Sequence, residues 1–406
     1  MSSFSSLVPH APLRNGTPTA TSQSSTHYVG ESARAVCFLK DARMSDEDAE
    51  GEFLPLLAVG DDDALALYLP VVTSLDEQAL REELSSIKPS TRTEGRCELT
   101  AVADIAHEGD VTALRFVSSG SSNVLLSAST TGSVHAFRVG DTGDQIIAPV
   151  VVPQWKELFS RSATALDVNS ERGAVVAASE SGEVAWLRFE DGGKSGFSAQ
   201  VIRNPESSRL ALNGIKMLAR ETVVATVGSA PGSQLRLWDI AANQNFPVAT
   251  ASDPHVSSAL TSLETHPTRP ELLITGSDDG RVALWDLRRL DAPLRVEAKH
   301  QKAVRALALH QASPRLLFSG GDDATVLAWD FHHGRPASEP VEYEKHMHSQ
   351  HHGAGLHVHP INSGFLPWRS MDFHAGSDTL VASSDAQTLL LLRNASRAHH
   401  VGLMTQ

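Results

Sequence analysis

Cysteine is nearly missing from this chain, with Cys37 and Cys97 the only two among 406 residues. Two isolated thiols make neither a disulfide framework nor a zinc site, which points to a reducing compartment, cytosol or nucleus. Basic charge is also short. Lys and Arg total 34 against 48 Asp and Glu, a net charge of -14, and no Lys/Arg run carries interleaved aromatics. Such a balance repels phosphate backbones, so direct nucleic-acid binding is not expected. No apolar run approaches the roughly 18 to 20 residues that cross a bilayer, so no membrane insertion is expected. Residues 1–26, rich in Ser, Thr and Pro, lack the basic start and apolar core of a secretory signal and are expected to form a disordered leader.

Apolar residues make up 41% of the chain and charged residues 20%, enough material for a sizeable core. Three segments nearly repeat one another: Gln234-Leu235-Arg236-Leu237-Trp238-Asp239, Arg281-Val282-Ala283-Leu284-Trp285-Asp286 and Thr325-Val326-Leu327-Ala328-Trp329-Asp330. Trp-Asp endings about 45 residues apart are the signature of a WD-repeat β-propeller, each repeat being one four-stranded blade. Taking the Trp or its counterpart as a marker, the pattern recurs at Tyr68, Phe137, Leu187, Trp238, Trp285, Trp329 and Leu391. Short aliphatic runs such as 272–276 and 316–320 precede the markers and suit strands buried on both faces. The expected fold is therefore all-β, a single seven-bladed propeller over residues 27–394.

Too little chain follows Leu391 to complete the seventh blade, so the segment around His27–Val29 is expected to close it as a clasp and remove an exposed sheet edge. Residues 395–406 read as a tail. Two insertions interrupt the rhythm. Around residues 74–88, Ser74 and Glu77 stand in capping-box register with Leu80, Leu84 and Ile87 on one helical face, predicting a short helix. Residues 332–361, crowded with His, Gly and Pro, predict a long loop before the last blade.

The repeated polar residues read as blade-building. His300, Ser319, Asp323 and Trp329 in blade six have the spacing of a buried hydrogen-bonded set that pins the blade hairpin. Their Ser-His-Asp composition suggests a nucleophilic triad, but the spacing is that of a structural repeat. Blade five keeps Thr275, Asp279 and Trp285, with Val256 where a His would align. Blade two keeps His107 but has Thr131 and Phe137 in place of Asp and Trp, and is expected to rely on packing. No catalytic, cofactor or metal residue is assigned, and the chain is not expected to be an enzyme. The cluster His346, His348, His351, His352, His357 and His359 is flanked by Gly353, Gly355 and Pro360, which give no fixed geometry for a metal. The acidic run Asp46, Glu47, Asp48 and Glu50 lacks the alternation of a calcium loop. Gly192-Gly193-Lys194-Ser195 lacks the first glycine of a phosphate loop. Trp285-Asp286-Leu287-Arg288 resembles the motif by which WD-repeat substrate receptors dock on the adaptor of cullin ubiquitin ligases, which makes Arg288 the alternative adaptor contact.

From residue 27 to 394 the chain resembles the small seven-bladed WD-repeat nucleoporin of the outer-ring, Y-shaped scaffold of the nuclear pore. The resemblance rests on the N-terminal clasp, the run Ile105-Ala106-His107-Glu108-Gly109-Asp110-Val111 leading into blade two, and the Trp series of blades four to six. It extends to the closing Ser383-Ser384-Asp385-Ala386 with Arg393. It implies a non-enzymatic scaffold subunit, a monomeric propeller within a hetero-oligomer, that docks on an α-solenoid nucleoporin. It further implies a place at the nuclear envelope, a role in pore assembly, mRNA transport and protein transport, and a visit to kinetochores in mitosis.

Overall fold

A computed structural model describes residues 23–29, 33–39, 52–53, 55–73, 96–119, 122–140, 147–169, 173–189, 197–202, 210–219, 222–232, 234–242, 245–252, 258–331 and 356–397. Seven antiparallel sheets form the seven blades of a β-propeller. Blade six is typical: Val304–Leu309 is innermost, followed outward by Leu316–Gly321, Thr325–Asp330 and His357–Ser363. Five of the seven second strands are buried along their whole length, Leu272–Ser277 and Leu316–Gly321 among them. Side chains from adjoining blades fill the spaces between sheets. Phe318, Trp368, Phe373 and Leu390 share one such cluster between blades six and seven. Trp155, fully buried on a single 3-10 turn (Pro153–Trp155), fills another between blades two and three.

Ring closure occurs as expected, with an earlier start. Gln23–Tyr28 pairs antiparallel with Thr388–Arg393, from Gln23 opposite Arg393 to Tyr28 opposite Thr388. Residues 23–26 are therefore clasp and not leader. Their backbone groups satisfy an edge that would otherwise be left open. Two other boundaries also move. His357–Ser363, at the end of the expected loop, pairs with Thr325–Asp330 as the outer strand of blade six. At the expected tail, Ala395 is fully buried and its N–H donates to Asp378 O. The helix expected around 74–88 lies outside the described residues, as do 1–22, 332–355 and 398–406.

The register identifies equivalent positions. Trp329 lies opposite Leu317 and Trp285 opposite Leu273. In blade seven the turn residue with positive φ is Gln387 (58°), matching Ala324 (63°) in blade six. The equivalent of Trp329 is therefore Leu392, opposite Leu380, and not Leu391. With no Trp to mark the strand, the sequence reading slipped by one position. Glycine fills the same left-handed turn position in three other blades, at Gly132 (80°), Gly182 (82°) and Gly280 (85°).

Two faces follow from the connectivity. The turns between second and third strands, and the loops from each outer strand to the next blade, lie on one face, called upper here. The remaining connections lie on the lower face.

Candidate functional site

Blade six carries the full polar set. Trp329 Nε1 donates to Ser319 Oγ at 2.7 Å, and Ser319 Oγ lies 2.6 Å from His300 Nε2. His300 Nδ1 lies 3.0 Å from Asp323 Oδ2, and Asp323 also accepts from the Gln301 N–H and the Thr325 hydroxyl. An indole nitrogen only donates and a serine has one proton. The consistent arrangement therefore runs Trp329 N–H to Ser319, Ser319 O–H to His300 Nε2, and His300 Nδ1–H to Asp323. Burial opposes ionisation of Asp323, but Gln301 N–H, Thr325 and His300 together outweigh it and hold its carboxyl below the ordinary range. Ser319 is wholly buried and engaged on both sides, so it presents no free nucleophile.

The other blades keep parts of this set. Trp285 Nε1 donates to Thr275 Oγ1 at 2.9 Å and Trp238 Nε1 to Thr226 Oγ1 at 2.8 Å. Asp279 stands apart from the Thr275–Trp285 pair. It accepts from Ser277 Oγ at 2.5 Å and meets Arg281 Nε at 3.2 Å. Val256 is outside the described residues. Blade two is more polar than expected. His107 bonds Ser127 Oγ at 2.7 Å and Gly109 O at 2.6 Å, and Ser129 links Thr131 to Glu108 O. Ser127 is the counterpart of Ser319, the Gly109 carbonyl stands at His107 Nδ1 where blade six has a carboxylate, and Phe137 fills the Trp position, so blade two keeps part of the hydrogen-bonded set.

The inner strands surround a central channel of about 660 Å³. Equivalent register places Cys37, Arg115, Asp167, Lys216, Glu264, Ala308 and Asp372 at one level around it. Lys216 Nζ lies 2.9 Å from Glu264 and 3.7 Å from Asp167, and Arg115 Nε lies 3.9 Å from Asp167. Burial works against charge on Lys216, but the two carboxylates outweigh it and raise its pKa. Two of the acids also join blades: Asp167 accepts from Met217 N–H and Asp372 from Phe38 N–H, each at 2.8 Å.

At the upper mouth, a β-bulge follows the first residue of the inner strand in blades two to seven. The extra residue leaves the ladder and can reach the next blade. In blades two to five it is Thr112, Thr164, Asn213 or Thr261, donating to the backbone carbonyl of Ala163, Leu212, Leu260 or Val304, respectively. In blades six and seven it is Arg305 or Arg369. Arg305 Nη2 lies 2.6 Å from Asp322 and 3.8 Å from Asp278. Arg369 lies 2.6 Å from Asp385 and 3.4 Å from Asp322. Arg34, just before the inner strand of blade one, meets Asp62 and Asp110. The sequence reading missed this Arg–Asp chain. Its signal is an Arg at the start of an inner strand and an Asp just past the second strand, visible only once the bulges set the register.

Arg288 lies at the lower face. Its guanidinium grips Asp286 with Nε at 2.8 Å and Nη2 at 2.6 Å, while the side chain stays 69% exposed. The Arg288 hydrogen bond is the main influence holding the Asp286 carboxyl below its ordinary range. His357 and His359 lie on the outer strand of blade six, opposite Asp330 and Ala328. His346, His348, His351, His352 and the acidic run 46–50 lie outside the described residues. Among the described residues no group of three or more His, Cys, Asp or Glu is arranged to hold a metal ion. None of the described helices is long and apolar enough to cross a membrane.

A family of the description "WD domain, G-beta repeat" matches residues 245–286 and 292–330, blades five and six with their approach. The chain is similar to Nucleoporin Nup43 of Homo sapiens, 26% identical over 209 residues covering 49% of this chain and 51% of that protein. It is also similar to Protein transport protein Sec31A of Gallus gallus, 28% identical over 46% of this chain and 15% of that one. The chain spans about half the length of the nucleoporins it matches. Among solved structures, Chaetomium thermophilum Raptor overlays 91% of this chain on 28% of its own, with a TM-score of 0.61 and 14% identity, a likeness of fold alone. The chain is thus a seven-bladed WD-repeat propeller with sequence similarity to a small WD-repeat nucleoporin.

Proposed function

We infer that this chain is a non-enzymatic scaffold subunit of the nuclear pore outer ring, a single propeller that binds an α-solenoid nucleoporin. It would act at the nuclear envelope in pore assembly, mRNA transport and protein transport, and visit kinetochores in mitosis. The observation that carries this reading is the similarity to Nup43, in a chain whose repeated Ser-His-Asp-Trp residues are used up in building blades. A propeller offers partners two faces and a rim of loops on a rigid frame, which suits assembly. The acidic balance favours protein partners over nucleic acid.

Affinity purification of the tagged chain with mass spectrometry tests this. Recovery of outer-ring nucleoporins in near-equal amounts is expected. Recovery of a cullin and its adaptor without pore proteins would overturn it in favour of a ubiquitin-ligase substrate receptor. The exposure of Arg288 favours that second reading, which requires Arg288→Ala to abolish adaptor binding.

A further inference from the structure

One short turn follows the last strand of blade seven. After Thr388–Arg393, Asn394 takes a positive φ of 52°, residues 395–397 form a single 3-10 turn, and Arg397 N–H closes it on Asn394 O. Asp378, in the lower turn that precedes Thr379–Ser384, holds this turn by three bonds. Its backbone oxygen accepts from Ala395 N–H at 2.9 Å, Oδ1 from Ser396 N–H at 2.9 Å, and Oδ2 from the Ser396 hydroxyl at 2.5 Å. Ala395 is fully buried, Ser396 is half-buried and Arg397 is exposed.

The remaining partner of the Asp378 carboxylate is His310 of blade six, whose Nε2 lies 2.9 Å from Oδ1. His310 Nδ1 accepts from Ser313 N–H, so the ring is neutral and gives its one proton to Asp378. Every donor that bonds this carboxylate is therefore uncharged, and its negative charge faces Ser396 without a bonded cation. A group that added negative charge at Ser396 Oγ would meet it directly.

The sequence supplies a route to such a group. Ser396 ends the run Arg393-Asn394-Ala395-Ser396. Many protein kinases choose a hydroxyl by pairing their own carboxylates with an arginine three residues before it. Among the described residues the same spacing recurs only at Arg115–Ser118 and Arg161–Thr164, and both of those hydroxyls lie within inner strands. A kinase takes its substrate as an extended segment, which an inner strand cannot yield without unravelling its blade. The turn after Arg393 buries one methyl group, that of Ala395, and can open locally.

We propose that Ser396 is a phosphorylation site for an arginine-directed protein kinase and that the phosphate expels the turn 394–397 from blade seven. The γ-phosphoryl group of ATP passes to Ser396 Oγ, ADP leaves, and the hydroxyl proton goes to the kinase's base. The product replaces a donor by a group of nearly two negative charges beside a carboxylate, which disrupts the contact by repulsion and desolvation. Release takes Ala395 out of the cluster between blades six and seven and changes the lower face there.

The test treats the full chain with a calmodulin-dependent protein kinase and Mg-ATP, maps phosphate by tandem mass spectrometry, and reads amide hydrogen exchange over residues 388–397. A synthetic peptide of residues 390–402 serves as the unfolded control. Phosphate on Ser396 of both chain and peptide is expected, and Arg393→Gln in the peptide should slow transfer at least about tenfold. In the phosphorylated chain the Ala395 and Ser396 amides should lose at least about tenfold in protection while the strand Thr388–Arg393 keeps its own. Ser396→Ala should stay unmodified there and keep the Ala395 amide protected. Transfer to neither substrate, transfer to the peptide but not to the folded chain, or phosphate on Ser396 with protection unchanged would each overturn the proposal. No nucleoporin takes part, so the result is independent of the pore reading.

Discussion

Replacing Ser319 with alanine removes one oxygen, yet two buried partners lose their bond. Trp329 Nε1 and His300 Nε2 meet only Ser319 Oγ at 2.7 and 2.6 Å, and both side chains are buried. A buried polar group left unsatisfied costs about 1 to 3 kcal/mol, so Ser319→Ala should cost about 2 to 5 kcal/mol. Thr275→Ala in blade five strands Trp285 Nε1 alone and should cost about 1 to 3 kcal/mol. Thr226→Ala in blade four should behave the same way. The expected order is therefore Ser319→Ala well above the other two, read as midpoints of urea unfolding followed by tryptophan fluorescence and circular dichroism. A double-mutant cycle sharpens the test. Trp329→Phe deletes the indole N–H, so Ser319→Ala should cost about 1 kcal/mol less in that background. Equal costs for the three substitutions, or a cycle without coupling, would refute the directed chain from Trp329 through Ser319 and His300 to Asp323.

Three further outcomes are expected. Deleting residues 1–28 bares the edge of Thr388–Arg393 and should lower the melting temperature and produce self-association visible by light scattering; an unchanged monomer would remove the clasp. Burial, with His107 beside it, holds the pKa of His135 down to about 4 against an ordinary 6.5. The unfolded chain takes up that proton first, so stability should fall as pH drops from about 6.5 towards 4, and His135→Gln should flatten this part of the curve. If both proteins give the same slope in urea titrations, that assignment fails. Lys216→Ala leaves Asp167 and Glu264 facing one another in the channel and should cost about 3 kcal/mol. Lys216→Ala combined with Glu264→Gln should recover part of it, and a single variant as stable as the wild type would show the channel pairs to be idle.

Blade count and the polar set of blade six were legible in the sequence because each is local or periodic, and the clasp followed because the count left the seventh blade one strand short. A Trp-Asp ending reports its own strand, and a Ser two places beyond the residue opposite the Trp follows from hairpin pairing. Where the Trp was missing, the alignment slipped, and Leu391 was taken for the position that Leu392 holds. In blade two the Gly109 backbone carbonyl stands in for the Asp at His107 Nδ1, a substitution that no side chain in the sequence announces.

Composition and repeat spacing by themselves determined the architecture, because a chain that must bury the same aliphatic pattern seven times has few ways to do so without open edges. Tertiary structure alone decided what the ring presents. The bulges bring Arg305 to Asp278 and Arg369 to Asp322 across blade boundaries, the channel level brings Arg115, Asp167, Lys216 and Glu264 together, and the loop tethered to blade seven keeps Phe365 in water. Each joins residues from different blades, distant in sequence, and their meeting depends on strand register and ring closure, which no single repeat encodes.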